Sequence, residues 1–195
     1  MKQTAVQVAA GLIGVSIVLG LLQLSERERE RRHAKRPDVV TDRVLELAHL
    51  DSNDIVYDLE CGDGGVVVAA AKRHGARGWC FDIYPQRLTE ARERARRAGV
   101  ENLITFREQF WDTVDVTPAT VVIAWLTDPT GHIGNYKLRG QLTRELRPGS
   151  RVVSYWVNLG DWEPTTVSSV PAIPNEPAGV VRLWVADGKV RPWLE

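Results

Sequence analysis

The stretch from Ile55 to Asp82 limits the possible folds of this chain more than any other. Ile55-Val56-Tyr57-Asp58-Leu59 is a short apolar run with one carboxylate, and it breaks directly into Glu60-Cys61-Gly62-Asp63-Gly64-Gly65. Such a run reads as a buried strand, and the small residues let the backbone turn sharply after it. Val66–His74 reads as a helix, with Gly75 in place to cap its C-terminus. Gly78–Ile83 is a second strand, and Asp82 stands near its end, eighteen residues past Gly64. A strand that reaches its neighbour through a helix must lie parallel to it, so the chain is committed to a parallel sheet with covered faces.

The alternation continues on both sides of this unit. Thr41–Leu50 is a helix, with Val40, Val44, Leu47 and Ala48 on one face. Pro85–Ala98 is another, started by its proline, laced by Glu90/Arg94 and Glu93/Arg97, and stopped by Gly99. Strands are expected at Leu103–Arg107, Thr120–Leu126 and Arg151–Val157, with a helix over Asn135–Leu146 closed by Pro148-Gly149. After Pro164 no helix is expected, and Val180–Val185 and Val190–Trp193 flank Asp187-Gly188 as a hairpin. The fold class is therefore α/β, a doubly wound, mostly parallel sheet ending in an antiparallel hairpin.

Ahead of this domain the composition changes abruptly. From Gln3 to Ser25 no residue is charged, and residues 4–24 would make a helix of about 30 Å, the thickness of a bilayer core. The run ends Leu21-Leu22-Gln23-Leu24 without a small-x-small cleavage site, which favours an uncleaved anchor over a signal peptide. Three segments follow: a transmembrane anchor at 1–25, a charged juxtamembrane segment at 26–36 and a catalytic-type domain at 37–195. Six basic residues lie just after the span, so the positive-inside rule places the domain in the cytoplasm. The formal net charge of zero divides into +4 for residues 1–36 and −4 for residues 37–195. An acidic domain of this size is a poor partner for nucleic acid, while the basic flank suits anionic lipid.

The site follows from the sheet. In doubly wound sheets ligands bind beyond the carboxyl ends of the strands, where Asp58, Glu60, Cys61, Gly62, Asp63 and Gly64 lie. Asp82, with Ile83 beside it, is placed to accept hydrogen bonds from ribose hydroxyls. Val67 occupies the third glycine position of a dinucleotide fingerprint, which favours a nucleoside ligand without pyrophosphate. Candidates for the reacting side follow the fourth strand: Asp128, His132, Asn135 and Tyr136. The four histidines are scattered and no ligand spacing is present, so no metal is expected. Two cysteines supply no disulfide framework, and Cys61 and Cys80 read as small core or loop residues in preference to a redox pair. Trp79, Trp125, Trp156 and Trp184 fall on strands and read as core, whereas Trp162 and Trp193 are candidates for a membrane interface.

At Asp58, Gly62, Gly64 and Asp82 the chain resembles the S-adenosylmethionine-dependent methyltransferases of Rossmann type, whose first motif runs D-x-G-x-G-x-G. Val56–Leu59, Ala119–Val122, Asn135 with Lys137-Leu138, Glu145–Gly149, Arg151–Ser154 and Gly160-Asp161-Trp162-Glu163-Pro164 resemble small bacterial methyltransferases. Those are similar to mitochondrial protein-lysine methyltransferases that modify membrane proteins. The resemblance implies S-adenosylmethionine as cofactor, with Gln109 and Phe110 near its adenine, and a membrane-protein lysine as acceptor. Three positions depart from the family pattern. Glu60 replaces the first glycine, Phe110 stands where Asp or Asn is usual, and only Pro37 remains of a Pro-Thr-Pro leader. Two alternatives stay open on the sequence: a catalytically impaired binding or assembly subunit of the same fold, and a methyltransferase acting on small molecules.

Overall fold

The computed structural model describes residues 37–126, 132–172 and 178–191, with only the backbone of His132 and Ile133. The anchor and charged segment expected before Pro37, together with Asp128 and Trp193, lie outside the described residues. No helix among the described residues is long and apolar enough to cross a membrane.

In chain order the elements are α1 (Asp38–Ala48), β1 (Ile55–Asp58), α2 (Gly65–His74), β2 (Arg77–Asp82), α3 (Pro85–Ala98), β3 (Ile104–Glu108), β4 (Val121–Ala124), α4 (His132–Glu145), β5 (Arg151–Tyr155), β6 (Thr166–Val170) and β7 (Gly179–Val185). The strands form one sheet in the order β3-β2-β1-β4-β5-β7-β6. The first five run parallel, and β7 lies antiparallel to both β5 and β6. The order reverses between β1 and β4, which opens the crevice above their carboxyl ends.

Each central strand divides its side chains between two cores. Val56, Val121, Ile123 and Val153 face the layer of α1 and α2, where Val40, Val44, Val66 and Ala70 cover them. Tyr57, Val122, Ala124 and Val152 face the opposite side, under Leu138, Leu142 and Leu146 of the α4 region. The apolar strands are thus continuous in sequence because both faces are buried. At the amino edge, the Arg151 guanidinium donates to the carbonyls of Ala48 (2.6 Å) and His49 (2.7 Å), at the open end of α1. The same guanidinium pairs with buried Asp54, whose carboxylate also accepts from the Thr120 hydroxyl (2.6 Å). One cation therefore joins α1, β4 and β5 below the sheet.

Two expectations are corrected. The terminal antiparallel pair among the described residues is β6 with β7; Val190 and Arg191 belong to no strand, and residues 192 and 193 of the expected hairpin lie outside the described residues. Asp187 instead closes a local turn, accepting from the Lys189 amide (3.0 Å) and pairing with Arg191 (2.8 Å). Thr166–Val170 left no periodic signal because it is an edge strand in which Val170 alone is buried. The two cysteines are bonded to each other: Cys61 and Cys80 form a disulfide, with Cα atoms 5.2 Å apart. Asp58 pairs with Cys80 across the parallel ladder, and the turn after β1 folds Cys61 back onto β2. The spacing in sequence hides this proximity, which only the register creates.

The bridge closes a loop spanning 19 positions around α2, all of it ordered in the fold. Loop-closure entropy of that size is worth about 3 kcal/mol. Reduction, or Cys61→Ser with Cys80→Ser, is expected to lower the unfolding free energy by about that much in denaturant titration. Equal midpoints for the oxidised and reduced forms would contradict it.

Candidate cofactor and acceptor site

The turn after β1 is held against β2 by paired bonds. The Cys61 amide donates to the Phe81 carbonyl (2.9 Å), and the Gly62 amide donates to Asp82 Oδ2 (3.0 Å). Gly62 has φ +57°, and a Cβ there would point into open space, so the backbone itself borders the crevice. Gly64 has φ +75° for a different reason: a Cβ would lie 2.9 Å from that of Ala91, so this glycine lets α3 pack closely against the turn. Leu59 continues the ladder by donating to Ile123 (3.2 Å), which brings half-buried Glu60 beside the end of β4.

Two carboxylates close the strand ends. Asp58 is fully buried at the end of β1, and Asp82 is 2% exposed at the end of β2. Asp82 accepts from the amides of Gly62 and Tyr84 (2.9 Å), and the Arg87 guanidinium stands 3.4 Å from Oδ2. A carboxylate has about four lone-pair positions, so Asp82 retains capacity for a hydroxyl, and the long Arg87 contact is the one most easily exchanged. Ile83, next after Asp82, and Phe110, two residues past β3, expose 45% and 41% of their surfaces. Two large apolar groups bared around a buried carboxylate suit a ligand with a flat ring and vicinal hydroxyls. The residues present therefore fit an adenosine moiety: Asp82 for the ribose, Ile83 and Phe110 for the base.

The other expected cofactor residues have structural partners. Asp63 accepts from the Gly65 amide (3.1 Å) and pairs with Arg94, so it caps α2 and ties it to α3. The Gln109 side chain donates to the Thr113 carbonyl (2.8 Å), turned toward the next turn of chain. Cys61 is committed to the disulfide.

On the acceptor side, α4 begins at His132 just after the β4 loop, with Asn135 half-buried and Tyr136 exposed. The Tyr136 ring lies against the backbone of Gly160 and under the Arg139 guanidinium, 5.1 Å away. Arg139 pairs with Asp161, and the Trp162 carbonyl accepts from the indole of Trp184 (2.6 Å). The Asp161–Pro164 element is thus a clasp holding the β5–β6 connection to α4 and β7. Trp162 is buried within it rather than facing a membrane. Trp156, expected in the core, is 50% exposed, because its φ of +72° turns the chain out of the strand pattern. Arg87, beside Asp82, is the neighbour that sequence reasoning missed. Nothing in residue type or spacing announces it. Among the described residues no cluster of His, Cys, Asp or Glu could hold a metal ion.

Phe110→Ala is expected to weaken S-adenosylhomocysteine binding about tenfold by calorimetry, the usual worth of one stacked base. Asp82→Ala is expected to weaken it further, since a buried carboxylate bonded to the ribose is then lost. Unchanged affinity in both variants would place the adenosine elsewhere.

Residues 58–166 match the family model described as the ANTKMT methyltransferase domain. A "Protein-lysine N-methyltransferase" of Saccharolobus islandicus (strain REY15A) is 35% identical over 135 residues, which are 69% of this chain and 81% of that protein. Among solved structures, the RNA methyltransferase from Salinibacter ruber in complex with S-adenosyl-L-homocysteine aligns at 37% identity with a TM-score of 0.72, covering 81% of this chain and 97% of that one. A methyltransferase from Geobacter sulfurreducens, also with S-adenosyl-L-homocysteine, shares the fold at 22% identity and a TM-score of 0.54, over 74% of this chain and 56% of that one. The family match runs from the last residue of β1 to the first of β6, over more than half of the chain. On that match and these relatives, the chain belongs to the ANTKMT methyltransferase domain family and is an S-adenosylmethionine-dependent methyltransferase.

Proposed function

We propose that this enzyme methylates lysine side chains of proteins at a membrane, held there by residues 4–24 with its domain on the cytoplasmic side. The observation that carries the acceptor class is the 35% identity to a protein named as a lysine N-methyltransferase, over most of that protein's length. The relative named as an RNA methyltransferase offers a second acceptor class at similar identity. Charge separates the two. Residues 37–195 carry 22 acidic and 18 basic groups, and a phosphate backbone requires the opposite balance.

The chemistry asks little of side chains. S-adenosylmethionine supplies an electrophilic methyl group on a sulfonium. Asp82, Ile83 and Phe110 hold the adenosine portion, and the Gly62 turn lets backbone border it closely. Glu60, in place of the family's first glycine, puts a carboxylate near the amino acid end, where an ammonium is its natural partner. On the acceptor side the protein must admit an amine, strip its proton and water, and align it. The proton leaves to solvent, so no dedicated base is required.

The anchor is supported by the uncharged run from Gln3 to Ser25 and the basic residues after it. A membrane protein would be presented at high effective concentration. Both sulfurs of the disulfide belong to fully buried residues, which protects the bond in a reducing compartment because exchange needs access.

Tritiated methyl donor added to membranes containing the full chain is expected to label protein lysines, and the label to vanish with Asp82→Ala. Label confined to RNA or to the low-mass fraction would overturn the acceptor assignment. No transfer at all, with cofactor bound, would favour a binding subunit. The rate at low acceptor concentration is expected to rise about tenfold per pH unit below the acceptor's pKa, because only the neutral amine reacts. Extraction of the full chain by alkaline carbonate would overturn the anchor.

A further inference from the structure

The β5–β6 connection starts with a residue in a conformation that its type disfavours. Trp156 has φ +72°, where a bulky side chain meets its own backbone, and glycine is the usual occupant. The position is held from both sides. The Trp156 amide donates to the Val180 carbonyl (3.4 Å) of β7, and the buried Ser154 hydroxyl donates to the Val157 carbonyl (2.8 Å) across the turn. Glycine would satisfy this backbone without strain. A tryptophan kept there, and left half exposed, is costly in the fold and useful outside it.

Its location gives the use. Ala124 of β4 pairs with Ser154 of β5, so the residues that follow each strand emerge side by side at the carboxyl edge. The Trp125 ring packs 4.5 Å from Tyr155, and Tyr155 meets the edge of Trp156 at 5.2 Å. This aromatic series runs outward from the end of β4, which borders the Leu59–Glu60 turn. Asp82 and Phe110 lie on the other side of that turn. A cofactor with its adenosine there would turn its reacting end toward β4 and β5, the strands that Trp125 and Trp156 follow.

We propose that Trp156 is the acceptor-recognition residue, its exposed indole forming the wall along which a lysine side chain slides toward the methyl group. The indole face attracts the ammonium at encounter and then covers the four methylenes, displacing the water that keeps the amine protonated. The positive φ aims the ring at this edge instead of into the sheet. This assignment rests on the protein-lysine reading for its substrate, but not for the position of the acceptor mouth.

The test uses the full chain and a peptide bearing a single lysine. Trp156→Gly is expected to melt at or above the native temperature, since relief of the strained backbone offsets the lost ring contact. It is expected to lose about tenfold in kcat/KM for the peptide, mostly through KM, with S-adenosylhomocysteine affinity unchanged. Trp156→Phe keeps an aromatic face and most of the activity. Native kcat/KM in Trp156→Gly would overturn the assignment. So would a parallel loss of S-adenosylhomocysteine affinity, which would place the ring on the cofactor. If the native chain leaves the peptide unmodified, the lysine reading fails, and n-butylamine titration followed by the indole NMR signal of Trp156 decides the second point. A shift in that signal supports an amine-accepting wall there, and none removes it.

Discussion

The contact between the turn after β1 and the end of β2 is the constraint on which the functional half of this molecule depends. Two amides, those of Cys61 and Gly62, bond to Phe81 and Asp82, so the loop is an extension of the sheet rather than a free connection. Asp82 serves two purposes through this bond. It fixes the turn that borders the crevice while keeping lone-pair capacity for a further donor. Backbone donors spend no side-chain entropy in doing so, and they leave the crevice lined by chain that carries no Cβ at Gly62. The site is accordingly formed before any ligand arrives, as most small-molecule sites are.

The two edges of the sheet do different work. At the amino edge a single buried network around Asp54, Thr120 and Arg151 collects α1, β4 and β5. At the carboxyl edge the polar groups are spread out, and the large apolar groups Ile83, Phe110, Tyr136 and Trp156 are bare. The ion pair at the first edge joins elements of the fold, while apolar surface left bare at the second is available for ligands to cover. The Asp161–Pro164 clasp mediates between them. It secures the β5–β6 connection through Arg139 and Trp184, so that the chain from Trp156 onward stays in place although Trp156 itself is exposed.

Most of this architecture was legible because buried parallel strands write continuous apolar runs and helices write their caps. Gly75 and Gly99 end α2 and α3 as expected, and the bounds of every strand from β1 to β5 lie within two residues of the predicted ones. The misses share one physical cause: they depend on register or on local backbone, not on composition. Thr166–Val170 pairs at an edge and buries one residue, so it carries no alternation. Cys61 and Cys80 meet only because β1 and β2 align Asp58 with Cys80. Trp156 looks like a core residue until its φ is known. Gln109 and Asp63 carry partners that composition does not announce, the Thr113 carbonyl and the Arg94 guanidinium.

The disulfide joins a loop that hydrogen bonds already hold, and this decides what it contributes. Cys61 is fixed to β2 by its own amide, so the covalent bond adds little to where the loop sits in the native state. Its effect falls on the unfolded chain, whose freedom it restricts around α2. The crevice can therefore keep its shape with the sulfurs reduced, at a lower margin of stability. Because both cysteines are fully buried, opening the bond first requires the turn and β2 to part. That separation breaks the Gly62–Asp82 contact as well. A ligand bonded to Asp82 would oppose it, and would so link cofactor occupancy to the survival of the disulfide.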